Sequence, residues 1–317
     1  MTAAAAQAQA GRHGEAVGYL LAILGVLAFS TRPVLIRLGY AEGVDAETLL
    51  ALRMGLSLPF FVAMWAWSRR RAAGPLAPGD LLRTAALGLL GYWIASYCDF
   101  LGLRTVPAGL GRIILFLYPT FVLALSAVFL GRRPQRREML CLLVAYAGLA
   151  LVLDASAAGF DAARLGGAGL ILLSALAYAG YLVGGSSTVP RIGSTRFTAI
   201  AMMAACVACI AQFFVLRPAD HLLVSGKVLG IAAWIAVIGT VLPVWATSEA
   251  LKRIGATRAA LLGALGPVST ILLAWAGMDE AMTGLQVVGA LLVLGGVGLL
   301  TLPRRRPEAM TTRRRSP

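Results

Sequence analysis

Leu103-Arg104-Thr105-Val106-Pro107-Ala108 returns 148 residues later as Leu251-Lys252-Arg253-Ile254-Gly255-Ala256, and the same offset brings Pro119 onto Pro267. At that offset Ala147-Gly148-Leu149-Ala150-Leu151 also meets Gly295-Gly296-Val297-Gly298-Leu299. An offset of 149 pairs Leu27-Ala28-Phe29 with Leu176-Ala177-Tyr178. The chain reads as an internal duplication whose copies share one pattern of apolar stretches.

There are ten such stretches, at about residues 17–38, 46–67, 80–103, 107–129, 137–154, 166–187, 196–216, 227–250, 256–277 and 283–302. Each is near the ~20 residues that a helix rising ~1.5 Å per residue needs to cross ~30 Å of hydrocarbon. Five fall in each copy, and five is odd, so the second copy enters the bilayer from the opposite side. The pattern predicts an all-α polytopic membrane protein of ten transmembrane helices in two inverted five-helix repeats. Its expected parts are a cytoplasmic tail over 1–16, a first repeat over 17–154, a second over 166–302 and a basic cytoplasmic tail over 303–317.

Composition agrees with lipid as the solvent. The 317 residues are 59% hydrophobic and 13% charged, with a mean hydropathy of +0.81, too few charges to cover a water-facing surface of this size. The connections are too short for a nucleotide-hydrolysing domain, and Ser225-Gly226-Lys227-Val228 lacks the upstream glycine and the hydroxyl of a phosphate loop. The net charge of +14 is explained by its placement. With the N-terminus inside, twenty cations fall on inner segments and five (Arg37, Arg104, Arg164, Arg217 and Lys227) on outer ones. That bias predicts a multi-pass protein of the bacterial inner membrane with both termini cytoplasmic, and it removes nucleic acid as the reason for the charge.

Cys98, Cys141, Cys206 and Cys209 all lie in predicted spans and read as small apolar residues. The only histidines, His13 and His221, lie outside the spans, so neither a metal site nor a cofactor is expected. Residues 1–16 lack the basic start of a secretory signal, so the first span is expected to stay as a helix.

The segments Leu50-Ala51-Leu52-Arg53, Asp99-Phe100-Leu101-Gly102-Leu103-Arg104-Thr105-Val106-Pro107-Ala108-Gly109 and Leu115-Phe116-Leu117-Tyr118-Pro119-Thr120 carry a family resemblance in this order and spacing. Ala264-Leu265-Gly266-Pro267-Val268-Ser269 and the closing Gly-rich stretch extend it through the second copy. With these the chain resembles the EamA-type members of the drug/metabolite transporter (DMT) superfamily. The resemblance implies a secondary transporter for export or exchange of small metabolites, amino acids among them, by alternating access; efflux is the expected direction, and the cations within the spans extend the expected substrates to other carboxylate-bearing compounds. One departure stands out: where related members often carry a Trp-Gly segment in the first helix, this chain has Phe29-Ser30-Thr31-Arg32-Pro33.

Charges inside spans are costly and mark functional candidates. Counted from the outer helix ends at ~1.5 Å per residue, Asp99 lies ~6 Å deep, Arg112 ~8 Å, Arg32 ~9 Å and Arg53 ~10 Å. Asp99 and Arg112 flank one short hairpin and are expected to pair, which leaves Arg32 and Arg53 as uncompensated cations. These arginines either snorkel to the outer interface, with Asp99 neutralising one of them, or bind a substrate anion, or serve gating or proton coupling. Tyr92, Ser96 and Asp99, at i, i+4 and i+7, share a helix face suited to a wet cavity. The candidate substrate-binding set is thus Arg32, Arg53, Tyr92, Ser96, Asp99 and Arg112. Pro33, Pro59, Pro119, Pro243 and Pro267 each remove an amide and are candidate kinks, with hinge roles for Pro33, Pro119, Pro243 and Pro267. Glu249 reads as a loop-edge ion-pair partner of Lys252 and Arg253. The small-residue ridges Gly180/Gly184 and Ala256/Ala260/Ala264 read as close helix contacts.

Other classes fare less well. No Gly-x-Gly-Asp or His-Glu-x-x-His segment is present, and no span holds a histidine to serve a buried serine, so an enzyme is not expected. A non-transporting membrane scaffold or regulator, and an exporter of lipophilic cations, stay open as alternatives. The expected partners are a small-molecule substrate, the lipid bilayer, a coupling proton and a second copy of the chain in a homodimer.

Overall fold

Runs rich in Ala and Leu favour helix, and in lipid the helix satisfies every backbone group within one segment. In the computed structural model each regular element is accordingly helical, with no strand among the described residues. These are residues 3–71, 74–102, 104–106, 114–152, 162–266, 268–269, 288–289 and 291–296. In chain order the helices are α1 (Ala3–Ser30), α2 (Arg32–Ala41), α3 (Ala46–Arg71), α4 (Pro78–Gly88) and α5 (Ala95–Gly102). They continue with α6 (Tyr118–Leu130), α7 (Arg136–Val152), α8 (Ala162–Ile192), α9 (Ser194–Leu216), α10 (Gly226–Ala236) and α11 (Leu242–Leu262).

Among the described residues four helices, Ala46–Arg70, Leu165–Ile192, Ser194–Leu216 and Gly226–Leu262, are long and apolar enough to cross a membrane. Gly14–Ser30 and Tyr118–Leu130 are shorter apolar helices. Local chemistry sets the ends. Asp45 accepts from the Thr48 N–H and hydroxyl, both at 2.9 Å, and so caps the start of α3. Gly255 interrupts α11 with φ 76°, a left-handed backbone that glycine adopts without a Cβ clash.

Two spans contain a wider turn. α4 and α5 are joined by a π-helical turn, Leu89–Ile94, and α10 and α11 by another, Val237–Val241. The turns begin 148 residues apart, the offset of the sequence repeat. In each the backbone reaches five residues back, from Ala95 to Leu90 and from Leu242 to Val237. The second has two local causes. Pro243 cannot donate to Gly239, and the Thr240 hydroxyl takes the Ile235 carbonyl at 2.9 Å.

Helices of the first copy pack chiefly on helices of the second: α1 on α11, α3 on α9, and α5 on α8. Close approach is made possible by glycines. A Cβ on Gly88 would collide with the Ala201 carbonyl of α9, and one on Gly184 with the Leu87 side chain. Gly184 and its neighbour Gly180, which faces Leu90, are therefore helix-packing positions. Phe61, Met54, Tyr181, Phe197, Met202 and Phe213 fill the core, whereas Leu82, Val128, Phe129 and Val215 are exposed. Charged groups such as Arg53, Glu138 and Asp99 are buried. An apolar exterior around an ionic interior suits a hydrocarbon solvent, and the chain is a multi-pass membrane protein.

Candidate functional site

The departure at Phe29-Ser30-Thr31-Arg32-Pro33 is where the first span breaks. α1 ends at Ser30, Thr31 forms a turn, and α2 starts at Arg32 with Pro33 in its first turn, where a missing N–H costs no helical bond. The Ser30 hydroxyl donates to the Val26 carbonyl at 2.7 Å and lies 3.2 Å from that of Gly266, and the Thr31 hydroxyl donates to Ala28 at 2.8 Å. Arg32 is 7% exposed, with its Nη2 3.6 Å from Asp99 Oδ2 and its guanidinium 4.5 Å from the Phe29 ring centre.

Arg32 and Asp99 line a cavity of about 130 Å³ together with Tyr92 and Ser96. Water needs ~10–15 Å³ of such space, so the volume suits a ligand of on the order of ten heavy atoms. Both copies build it, and they do so at matching positions. The offset of 148 relates Ala95 to Pro243, Ser96 to Val244, Asp99 to Thr247, Leu115 to Gly263 and Tyr118 to Gly266, and all ten line the cavity. The offset of 149 relates Gly25 to Ser174 and Phe29 to Tyr178, which line it as well. Tyr178 stands edge-on to Tyr92 at 6.3 Å and to Tyr118 at 5.3 Å, forming an aromatic wall. The Tyr118 hydroxyl donates to the Ala260 carbonyl at 3.0 Å across the position where a Gly263 side chain would sit.

Of the residues singled out in the sequence, Arg32, Tyr92, Ser96, Asp99 and Pro243 come together in this lining. Arg53 stands one layer behind, its Nη2 3.4 Å from the Ser96 hydroxyl. Pro119 is buried just after a turn at Phe116-Leu117 that interrupts the helix. Arg112 and Pro267 lie outside the described residues. The expected charge pattern is corrected: the Asp99 carboxylate faces Arg32, so Arg32 is not an uncompensated cation. Depth counted along single helices does not say which side chains face one another across helices. Glu249 pairs with Arg253 one turn on and accepts from Ser194, so the expected ion pair forms within α11 rather than at a loop edge.

Sequence reasoning missed Tyr118, Tyr178, Ser174, Thr247 and Gly266. The signal was present, because carrying Ser96, Asp99 and Tyr118 through the repeat offset lands on Val244, Thr247 and Gly266. Above the cavity, the acids before and at the start of α3 gather the outer cations. Glu47 pairs with Arg104 and, at 3.4 Å, with Arg217, and Asp45 takes His221 at 3.2 Å. Burial alone would raise the Asp45 carboxyl, but the two hydrogen bonds from Thr48, with His221 and Arg217 beside it, hold it at about 2.

A two-copy cavity inside an apolar helical shell is the arrangement of a carrier, and the comparisons agree. The model of the EamA-like transporter family matches residues 16–154 and again residues 165–302. The chain belongs to that family. This EamA-like transporter is 31% identical over 286 residues to the uncharacterized transporter YcbK of Bacillus subtilis, covering 89% of this chain and 90% of the relative. It is 25% identical over 200 residues to a probable amino-acid metabolite efflux pump of Salmonella typhimurium, covering 61% of this chain and 67% of that one. A solved structure titled only as the crystal structure of a protein superimposes with a TM-score of 0.74 at 20% identity, over 90% of this chain and 98% of that chain, a likeness of fold. The EamA-like transporter is therefore a membrane carrier and not an enzyme.

Proposed function

We propose that this protein is a secondary transporter that exports small carboxylate-bearing metabolites, amino acids among them, across the bacterial inner membrane. Ten spans in two inverted repeats, over 17–154 and 166–302, rock about the shared cavity, with both termini in the cytoplasm. The observation that carries this reading is the cavity lining, built from positions related by the repeat offset. A site on the axis between two similar halves is what alternating access requires. The Salmonella relative's name supports the substrate class and the direction.

In this reading Arg32 holds the substrate carboxylate and Asp99 an ammonium group, each exchanging its partner in the protein for one on the ligand. Asp99 is the one carboxylate among the described lining residues, and so the group there able to carry a coupling proton. The breaks at Thr31 and Phe116-Leu117, and the π-turn ahead of Pro243, supply hinges close to the site.

Liposomes containing purified protein test the reading. Labelled amino acids and small carboxylic acids are expected to enter saturably, faster with an imposed proton gradient. Thr247→Trp, which fills the cavity from its second-copy side, should bring flux to background while the protein stays folded. Flux absent from well-folded wild-type protein across the panel would leave the scaffold reading in its place.

A further inference from the structure

Arg53 is 1% exposed, the largest fully buried side chain of the molecule among the described residues. Its Nη2 reaches only the Ser96 hydroxyl, at 3.4 Å, and its Nε and Nη1 have no hydrogen-bond partner. No described carboxylate lies within ion-pair distance of it, because Asp99, the acid in that region, is held by Arg32. Its other neighbours are weakly polar: the Phe100 ring centre is 5.9 Å from its guanidinium carbon. Arg32 stands 5.9 Å from the same ring, so the two guanidiniums are within twice that distance of each other. The matching position of the second copy is Ala201, so the fold has no need of a cation there.

Among the described residues, two cations and one carboxylate leave this region with one positive charge too many. A buried charge without a partner is strongly unfavourable, and an anion brought beside Arg53 would relieve that cost. A neutral zwitterion does not, since its ammonium and carboxylate cancel as Arg32 and Asp99 already do. Ser96 lines the cavity and is also the one side-chain hydrogen-bond partner of the Arg53 guanidinium, so a single residue links Arg53 to the cavity wall.

We propose that Arg53 is a second anion subsite, opened from the cavity by rotation of the Ser96 side chain, and that the preferred substrate is a small organic carboxylate with one net negative charge. This rests on the transport reading of the same cavity. Arg32 and Asp99 orient the ligand, and Arg53 reads its net charge.

Two pairs of near-isosteric probes differ by that single charge: L-glutamate with L-glutamine, and propionate with propionamide. Flux into liposomes and thermal stabilisation of detergent-purified protein are both measured for all four. The acid of each pair should be favoured at least tenfold by wild type. In Arg53→Gln the acid-to-amide ratio should fall to about one. Arg53→Lys, which keeps the charge and loses the planar fork, should keep the preference for the acid with weaker binding, and it serves in place of the glutamine variant if that one fails to fold. Ser96→Ala, which removes the hydroxyl that Arg53 touches in the cavity wall, should change the acid-to-amide ratio. Equal handling of acid and amide by wild type, an undiminished acid preference in Arg53→Gln, or no response to either acid in both assays overturns the subsite. Stabilisation by the acids without flux would count against transport and leave the subsite standing. Flux without acid preference does the reverse.

Discussion

Arg32 and Asp99 are the two charges whose pairing defines the cavity, and each is buried enough that the loss of one isolates the other. Breaking such a pair costs commonly ~3–5 kcal/mol, more than the intact pair contributes, because a bare charge remains in a low-dielectric interior. Asp99→Asn should therefore lower the thermal stability and yield of purified protein. The exchange Arg32→Asp with Asp99→Arg should recover part of the loss. If the double variant is only the sum of its two single changes, the residues do not interact. A recovery obtained instead by exchanging Asp99 with Arg112 would return the pairing to the one that depth along the helices suggested.

At the level of the helices, close contact between the copies depends on glycines facing backbone. Gly88 of α4 leaves no room for a methyl group against the Ala201 carbonyl of α9. Overpacking costs ~1–3 kcal/mol when side chains can shift, and a backbone neighbour gives way less easily. Gly88→Ala should accordingly destabilise the protein in a thermal-unfolding assay. Gly166→Ala, at a position of α8 with nothing within 4 Å, should be neutral or stabilising by up to ~1 kcal/mol through helix propensity. Equal effects of the two would mean that α4 and α9 do not touch at Gly88. The paired π-turns belong to this scale too. Each inserts a residue where the span passes the cavity, and each rotates the remainder of its span relative to a regular helix.

Over the whole molecule the charges divide into an ionic interior and two rims. One rim joins Glu42 to Lys227 at 2.6 Å, and Asp45 and Glu47 to Arg104, Arg217 and His221. The opposite rim holds Arg132 with Glu138, Arg191 with Asp80, and Arg258 with Glu15. With the basic rim in the cytoplasm, Arg133→Cys should be protected from a membrane-impermeant thiol reagent in intact cells, and Leu223→Cys, on the outer rim, should react. The native cysteines are buried and can stay in place. Labelling at 133 with protection at 223 would reverse the orientation.

Much of this was legible from sequence for a physical reason: lipid imposes a requirement on every residue of a span, and a duplication states the pattern twice. Helical class, family, and the shared face of Tyr92, Ser96 and Asp99 come from apolar length, order of segments and helical period, all of them local properties of the chain. The second-copy half of the cavity was legible in principle through the repeat offset, which carries Asp99 to Thr247 and Tyr118 to Gly266. The partner of Asp99 was not. Pairing depends on distances between segments far apart in the chain, here those that bring Arg32 to face Asp99. Nor could the sequence place Arg53 behind Ser96 with Asp99 already taken by Arg32. Depth along a helix is a one-dimensional quantity, whereas charge compensation is decided by which helices lie side by side and how their faces turn, and only the tertiary structure specifies that.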